Sequence, residues 1–152
     1  MLVLGSLFVF GNYFNYDYPG SLEDSIKIHF MISSSAYGLL YSGYALPNIV
    51  MPFFSGLFFD KFGTRKGLIL FSICVCLGAY LFTHGGYTTN FNYLLAGRVI
   101  YGIGAEAMYV GQSAIISEWF VNYELPFAMS MISFVPLFGS FSQGALIPHI
   151  FV

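Results

Sequence analysis

Charged residues are scarce in this chain, which has five Lys or Arg and seven Asp or Glu among 152 residues. A soluble domain carries charge on roughly a quarter of its residues, whereas here the share is 8% and hydrophobic residues make up 57%. So few ionic side chains cannot form the polar shell that a buried soluble core requires. The mean hydropathy of +0.75 therefore indicates a membrane protein whose surface is covered by the lipid bilayer.

The same scarcity argues against other classes of function. With a net charge of -2 and few cations, the chain lacks the basic surface that nucleic acid binding needs. Cys74 and Cys76 are two residues apart, a spacing typical of neither zinc nor redox sites. The histidines His29, His84 and His149 lie in unrelated segments without a Ser-His-Asp pattern. We therefore expect neither an enzyme nor a metal or cofactor site.

Apolar runs predict the fold class, an all-α membrane protein with five transmembrane helices. A bilayer core of about 30 Å requires about 20 helical residues per crossing. The short first run and the apolar last run lead us to expect part of a longer protein. The runs fall at about 1–16, 34–59, 67–84, 91–117 and 125–152.

A basic turn predicts the orientation of these helices. Three of the five cations, Lys61, Arg65 and Lys66, lie between the second and third runs, as expected of a short cytoplasmic loop. The turn at 60–66 and the loop at 118–124 are then inside, and the loops at 17–33 and 85–90 are outside.

The turn also carries a family signature. Its pattern is Gly56-x-x-x-Asp60-Lys61-x-Gly63-x-Arg65, which resembles the motif between helices two and three of the major facilitator superfamily, although Thr64 replaces a basic residue. A second pattern, Arg98-x-x-x-Gly102, resembles helix four of that superfamily. The resemblance implies five helices of a six-helix amino-terminal bundle, belonging to a twelve-helix carrier that works by alternating access.

Each residue of the first motif has a physical role. We expect Gly56 to allow close approach of a neighbouring helix and Gly63 to adopt a positive φ. Asp60 can accept hydrogen bonds from helix-end amides or pair with Arg65 or another cation, and the resemblance implies a gating role. The alternative for Asp60 is a solvated charge at the membrane boundary.

Two ionisable residues, Arg98 and Glu106, lie within the fourth run. Each costs about 2.5–3.5 kcal/mol in a membrane helix, so both should face a partner or a wet cavity. They lie about 12 Å apart along the helix axis and could bind two ends of one solute. Arg98 could instead snorkel to the outer interface. Glu106 is a candidate proton or amine site, with a structural role as the alternative.

Polar side chains also share one face of the second run. Tyr37, Tyr41 and Tyr44 recur at helical spacing, and Asn48 follows one turn later. This row could line a cavity, form an aromatic belt or be ordinary packing. In the fourth run, small residues are expected to allow close helix contacts, namely Gly97, Gly102, Gly104, Ala107 and Gly111.

Segments 11–19, 47–50 and 102–106 give a finer resemblance, to the branch named major facilitator superfamily domain-containing protein one. The branch implies export of dipeptides from lysosomes, with Arg98 and Glu106 contacting the carboxylate and amine of a zwitterion. It also implies the missing carboxy-terminal half of the carrier as a partner, and an accessory membrane subunit is a further possibility.

Three alternative interpretations of the chain stay open at this point. One is a proton-coupled carrier of organic anions or sugars. Another is a membrane scaffold that transports nothing, for which neutralising Arg98 and Glu106 together would have no consequence. The third is a truncated gene product.

Overall fold

The structure is a computed structural model that describes the backbone of residues 2–151 and the side chains of residues 7 and 10–146. Residues 1 and 152 of the first and last predicted helices, and the side chain of His149, lie outside these described residues. Every regular element in the described part of the chain is a helix, as the apolar composition predicts. The helices are α1 (Leu2–Tyr16), α2 (Tyr18–Ser21), α3 (Glu23–Phe30), α4 (Ser34–Phe62), α5 (Thr64–Thr88), α6 (Phe91–Trp119) and α7 (Glu124–Phe151).

The expected outside loop at 17–33 is mostly helical, which corrects the sequence interpretation. Pro19 lies in the first turn of α2, where its fixed φ and missing N–H are tolerated. In α3, acidic residues occupy the first turn and Lys27 and His29 the last, an arrangement that the helix dipole favours. The sequence did not predict α2 and α3, because short polar helices lack the periodic spacing of apolar residues by which long helices are recognised.

The long helices are joined by very short connections. Gly63 alone separates α4 from α5, with φ +86°, so the positive φ predicted at this glycine is confirmed. Thr89 (φ +52°) follows α5, and Asn122 (φ +57°) precedes α7. Because these connections are so short, α4, α5 and α6 extend slightly beyond the predicted apolar runs.

Three described helices are long and apolar enough to cross a membrane, and these are Thr64–Thr88, Phe91–Trp119 and Glu124–Leu146. The remaining two of the five expected crossings are α1 and α4. The described part of α1 has 15 residues, and α4 contains Pro47, Pro52 and several tyrosines, which lower its hydropathy. Length and composition thus support three spans, and the count of five stays a prediction.

The chain divides into two compact units, residues 27–111, which we call the mid-chain unit, and residues 1–26 with 112–152, the terminal unit. The core of the mid-chain unit joins α4, α5 and α6 through Phe59, Phe71, Ala107 and Met108. In the terminal unit, Ile116 packs against Ala128 and Ile132 of α7.

Close contacts also join the helices of the terminal unit. A Cβ atom at Gly139 of α7 would lie 2.9 Å from the carbonyl oxygen of Phe10 on α1. The buried Gln143 of α7 donates a hydrogen bond of 2.9 Å to the hydroxyl of Ser21 at the end of α2. This bond provides a partner for a buried amide, which would otherwise cost about 1–3 kcal/mol.

The distribution of polarity is the reverse of that in a soluble protein. Ile49 and Phe53 of α4 are 79% and 69% exposed, whereas Arg98 is buried. Exposed apolar side chains of this size are unfavourable in water and neutral in hydrocarbon. The fold therefore supports lipid as the surrounding medium.

Candidate binding site

Arg98 lies inside the mid-chain unit, between aromatic rings of two neighbouring helices. The side chain is 5% exposed. Its guanidinium carbon is 5.0 Å from the ring centroid of Phe82 on α5 and 6.0 Å from that of Tyr41 on α4. A cation within about 6 Å of a ring is attracted to the face of that ring. This burial argues against the alternative in which Arg98 snorkels to the interface.

The tyrosine row of α4 faces this interior. Tyr37 is buried, and its ring packs edge-on against Tyr41 with centroids 5.8 Å apart. The ring of Tyr44 lies 6.1 Å from that of Tyr101 on α6. Because the row contacts α6 and the Arg98 guanidinium, the structure favours an interior position over a belt at the lipid interface.

Helices α4 and α6 run in the same direction through the unit. A Cβ atom at Gly102 would lie 2.7 Å from the carbonyl oxygen of Tyr44, and one at Gly111 would lie 2.7 Å from the ring of Phe59. Residue numbers on the two helices thus increase together. Only glycine allows α4 to approach this closely at position 102.

This register places Asn48 at the level of Glu106, since each lies four residues beyond the contact of Tyr44 with Gly102. Among the described residues, the side-chain oxygen of Asn48 is buried without a hydrogen-bond partner. Leaving a buried acceptor unsatisfied costs about 1–3 kcal/mol, and such groups often mark functional positions.

Glu106 is half-buried on α6, two turns after Arg98. Within the described part of the chain it forms no ion pair. Its separation of about 12 Å from Arg98 along the axis leaves an acidic and a basic group at two levels of one helix. The arrangement can hold two opposite charges that belong to the same molecule.

Sequence reasoning missed Phe82 and Tyr101. Tyr101 is buried three residues after Arg98, so helical spacing alone could have found it. Phe82 gave no such signal, because it is one of 18 phenylalanines and reaches Arg98 only through the packing of α5 on α6.

The basic turn is exposed. Asp60, Lys61 and Arg65 all face the surroundings. In the described structure Asp60 makes neither a hydrogen bond nor an ion pair, so neither the helix-end amides nor Arg65 holds it. The gating role of this motif stays a prediction.

The expected close approach at Gly56 is not made within the described chain, because a Cβ atom there would meet nothing within 4 Å. Gly43 is the glycine of α4 that allows close packing, since a Cβ atom there would lie 2.9 Å from Leu95 of α6. The face of α4 that packs on α6 therefore carries residue 43 and not residue 56.

No cluster of side chains that could hold a metal ion occurs among the residues that the structure describes.

Comparison with known proteins identifies the family. The sequence profile of the Major Facilitator Superfamily matches residues 3–151. This chain belongs to the major facilitator superfamily. The superfamily match includes both the turn at 60–66 and the pattern around Arg98, and it makes the chain a multi-pass membrane protein.

Individual relatives within the superfamily were also found. The chain is 38% identical over 126 residues to the lysosomal dipeptide transporter MFSD1 of Homo sapiens, covering 82% of this chain and 27% of that protein. The protein of the same name from Bos taurus gives the same identity and coverage. That of Mus musculus is 38% identical over 117 residues, or 76% of this chain and 25% of the relative. The chain thus spans about a quarter of the length of the curated relatives it matches.

Proposed function

We propose that this chain forms part of a membrane carrier that transports small zwitterionic solutes, with dipeptides as the preferred class. The carrier works by alternating access in the lysosomal membrane. The observation that carries the proposal is the pair of opposite charges on α6, of which Arg98 is buried between Phe82 and Tyr41. The names of the relatives, lysosomal dipeptide transporters, support the solute and the compartment.

Each end of the solute has its own group in this proposal. Arg98 binds the carboxylate, because a guanidinium can donate two parallel hydrogen bonds to it. Glu106 binds the ammonium group, with Asn48 at the same level as a further acceptor. Tyr37, Tyr41 and Tyr44 line the cavity beside them. An extended dipeptide spans about 7 Å, whereas positions 98 and 106 lie about 12 Å apart along the helix axis. The long side chains of Arg98 and Glu106 therefore have to reach toward each other to bind both ends of one dipeptide.

The remaining parts follow the family. Five crossings of the amino-terminal bundle, with the turn of Gly56, Asp60, Lys61, Gly63 and Arg65 on the cytosolic face, form one side of the transport pathway. The partner is the carboxy-terminal half of the carrier. An accessory membrane subunit stays a prediction.

Uptake into vesicles that contain the full-length protein tests this assignment. Arg98→Ala should remove the preference for a free dipeptide over its carboxyl-terminal amide, and Glu106→Gln the preference over the amino-acetylated form. A charge-assisted hydrogen bond is worth about 1.5–3 kcal/mol, so each loss should be about tenfold to hundredfold in apparent affinity.

Glu118→Gln is the matched control, because Glu118 is an exposed acid on the same helix and its loss should leave both preferences intact. Unchanged transport and preferences in both site variants would exclude this binding role. An organic anion carrier would lose its carboxylate preference with Arg98→Ala but would have no preference for a free amine that Glu106→Gln could remove, and a scaffold would transport neither solute.

A further inference from the structure

The two cations that lie outside the basic turn share one row of tyrosines. Of the five Lys and Arg residues in the chain, three lie in the turn, and the other two are Lys27 and Arg98. These two are 71 positions apart in sequence, the difference between 98 and 27. Their contacts with the same row of tyrosines therefore depend on the fold and not on proximity in sequence.

Three successive contacts connect them within the mid-chain unit, and a fourth extends from Arg98 to Phe82. The ammonium nitrogen of Lys27 lies 5.4 Å from the ring centroid of Tyr37. The ring of Tyr37 packs against that of Tyr41 at 5.8 Å. The guanidinium of Arg98 follows at 6.0 Å from Tyr41 and then contacts Phe82 at 5.0 Å.

The residues of this row differ in burial, and Tyr41 is half-buried between the buried Tyr37 and Arg98. Lys27 is half-buried, whereas Tyr37 and Arg98 are 5% exposed. Lys27 precedes Ser34, the first residue of α4, whereas the basic turn lies at the other end of that helix. The row therefore leads inward from the end of α4 that is opposite to the turn. A helix of this length extends about 43 Å.

We propose that Lys27, Tyr37 and Tyr41 form an entrance path along which a solute's carboxylate reaches Arg98. Lys27 makes the first contact, because its ammonium group is the only Lys or Arg charge on α3 and attracts the carboxylate end of a zwitterion. The rings of Tyr37 and Tyr41 contact Lys27 and Arg98, respectively, and so position the two cations. The tyrosine hydroxyl groups can donate hydrogen bonds to a carboxylate that moves between these cations. The proposal depends on the function proposed above.

The test uses the full-length protein reconstituted in vesicles and measures initial uptake of a dipeptide at several ionic strengths. Lys27→Gln should raise KM about 3- to 10-fold, leave the maximal rate unchanged and weaken the salt dependence, since steering of charged ligands is screened by salt. Lys27→Arg should restore both properties. The carboxyl-terminal amide of the same dipeptide should show no change in KM with Lys27→Gln.

Two further variants separate the path from a structural effect. Tyr37→Phe keeps the ring that faces Lys27, and Tyr37→Leu removes it, so only Tyr37→Leu should reproduce the weakened salt dependence. Asp24→Asn is the control on α3, because Asp24 is exposed on the same helix and its loss should not raise KM.

The outcomes distinguish the two proposals. Wild-type KM and salt dependence in Lys27→Gln, with Arg98→Ala still removing the preference for a free carboxylate, would overturn the entrance path alone. An equal rise in KM for the free dipeptide and its amide would also overturn it. If the wild-type protein transports no dipeptide, both proposals are wrong.

Discussion

At the scale of single residues, the environment of Arg98 is the most informative feature of the molecule. A buried cation in a membrane helix is expensive, and the described structure places it against two aromatic faces. Cation–π contacts that are desolvated are worth about 2 kcal/mol, so Phe82 and Tyr41 offset much of the cost. They also restrict the directions in which the guanidinium can donate hydrogen bonds.

Phe82 should therefore position Arg98 for carboxylate binding. Phe82→Leu keeps an apolar side chain but removes the ring face, and we expect KM for a free dipeptide to rise about 5- to 30-fold, the equivalent of about 1–2 kcal/mol. Phe82→Tyr retains the ring and should behave as wild type. Uptake of a dipeptide and its carboxyl-terminal amide provides the measurement. If Phe82→Leu raises both KM values equally, Phe82 has only a packing role.

At the scale of helices, glycines determine how α5 packs on α6. Cβ atoms at Gly97, Gly104 and Gly111 of α6 would lie 2.6 to 2.9 Å from atoms of α5. The glycine numbers increase by seven along α6, while the numbers of the residues that they contact on α5 decrease by seven. Those contacted residues are Phe82, Val75 and Leu68. The helices are thus antiparallel and close along three successive levels. Because this packing brings Phe82 to Arg98, the glycines also shape the candidate site.

Replacing Gly104 with alanine should destabilise the protein. The new Cβ atom would lie 2.8 Å from the backbone nitrogen of Val75 and 2.9 Å from the carbonyl oxygen of Phe71, so the helices would have to separate. This cost opposes the gain of about 1 kcal/mol that alanine has over glycine within a helix. We expect a lower apparent melting temperature for Gly104→Ala in detergent.

The control for this prediction is Gly38→Ala in α4, where the Cβ atom would meet nothing within 4 Å in the described chain. That variant should melt at or above the wild-type temperature. A Gly104→Ala protein as stable as Gly38→Ala would show that α5 and α6 pack less closely than the structure indicates.

At the scale of the whole molecule, the exposed apolar surface and the rare charges decide the environment. Helix α5 is long enough to span a bilayer, and the basic turn lies at its start. Lys and Arg concentrate on the cytoplasmic side of membrane proteins. The two ends of α5 should therefore lie on opposite sides of the membrane.

Single-cysteine labelling tests this orientation. With Cys74, Cys76 and every cysteine of the full-length protein outside this chain replaced by alanine, Phe62→Cys should react with a membrane-impermeant maleimide only from the cytosolic side. Thr88→Cys, at the other end of α5, should react only from the opposite side. Both positions are exposed in the structure. Labelling of both from the same side would contradict the span.

The agreement between sequence and structure varies with the range of the interactions involved. The positive φ at Gly63 was predictable because it depends on the local chain. The helices α2 and α3 were not, since their polar residues resemble a loop. Within the described chain Gly43, and not Gly56, makes the close approach of α4 to α6, because which face of α4 packs on α6 depends on both helices together.

The amino-acid sequence by itself determined the helical class, the membrane environment and the family, because hydrophobic runs, scarce charges and short motifs are read along the chain. Only the tertiary structure decided that Arg98 lies between Phe82 and Tyr41 and that Lys27 joins the same row. Those contacts connect α3, α4, α5 and α6. Local sequence cannot specify them, because they depend on how the glycine faces of separate helices pack.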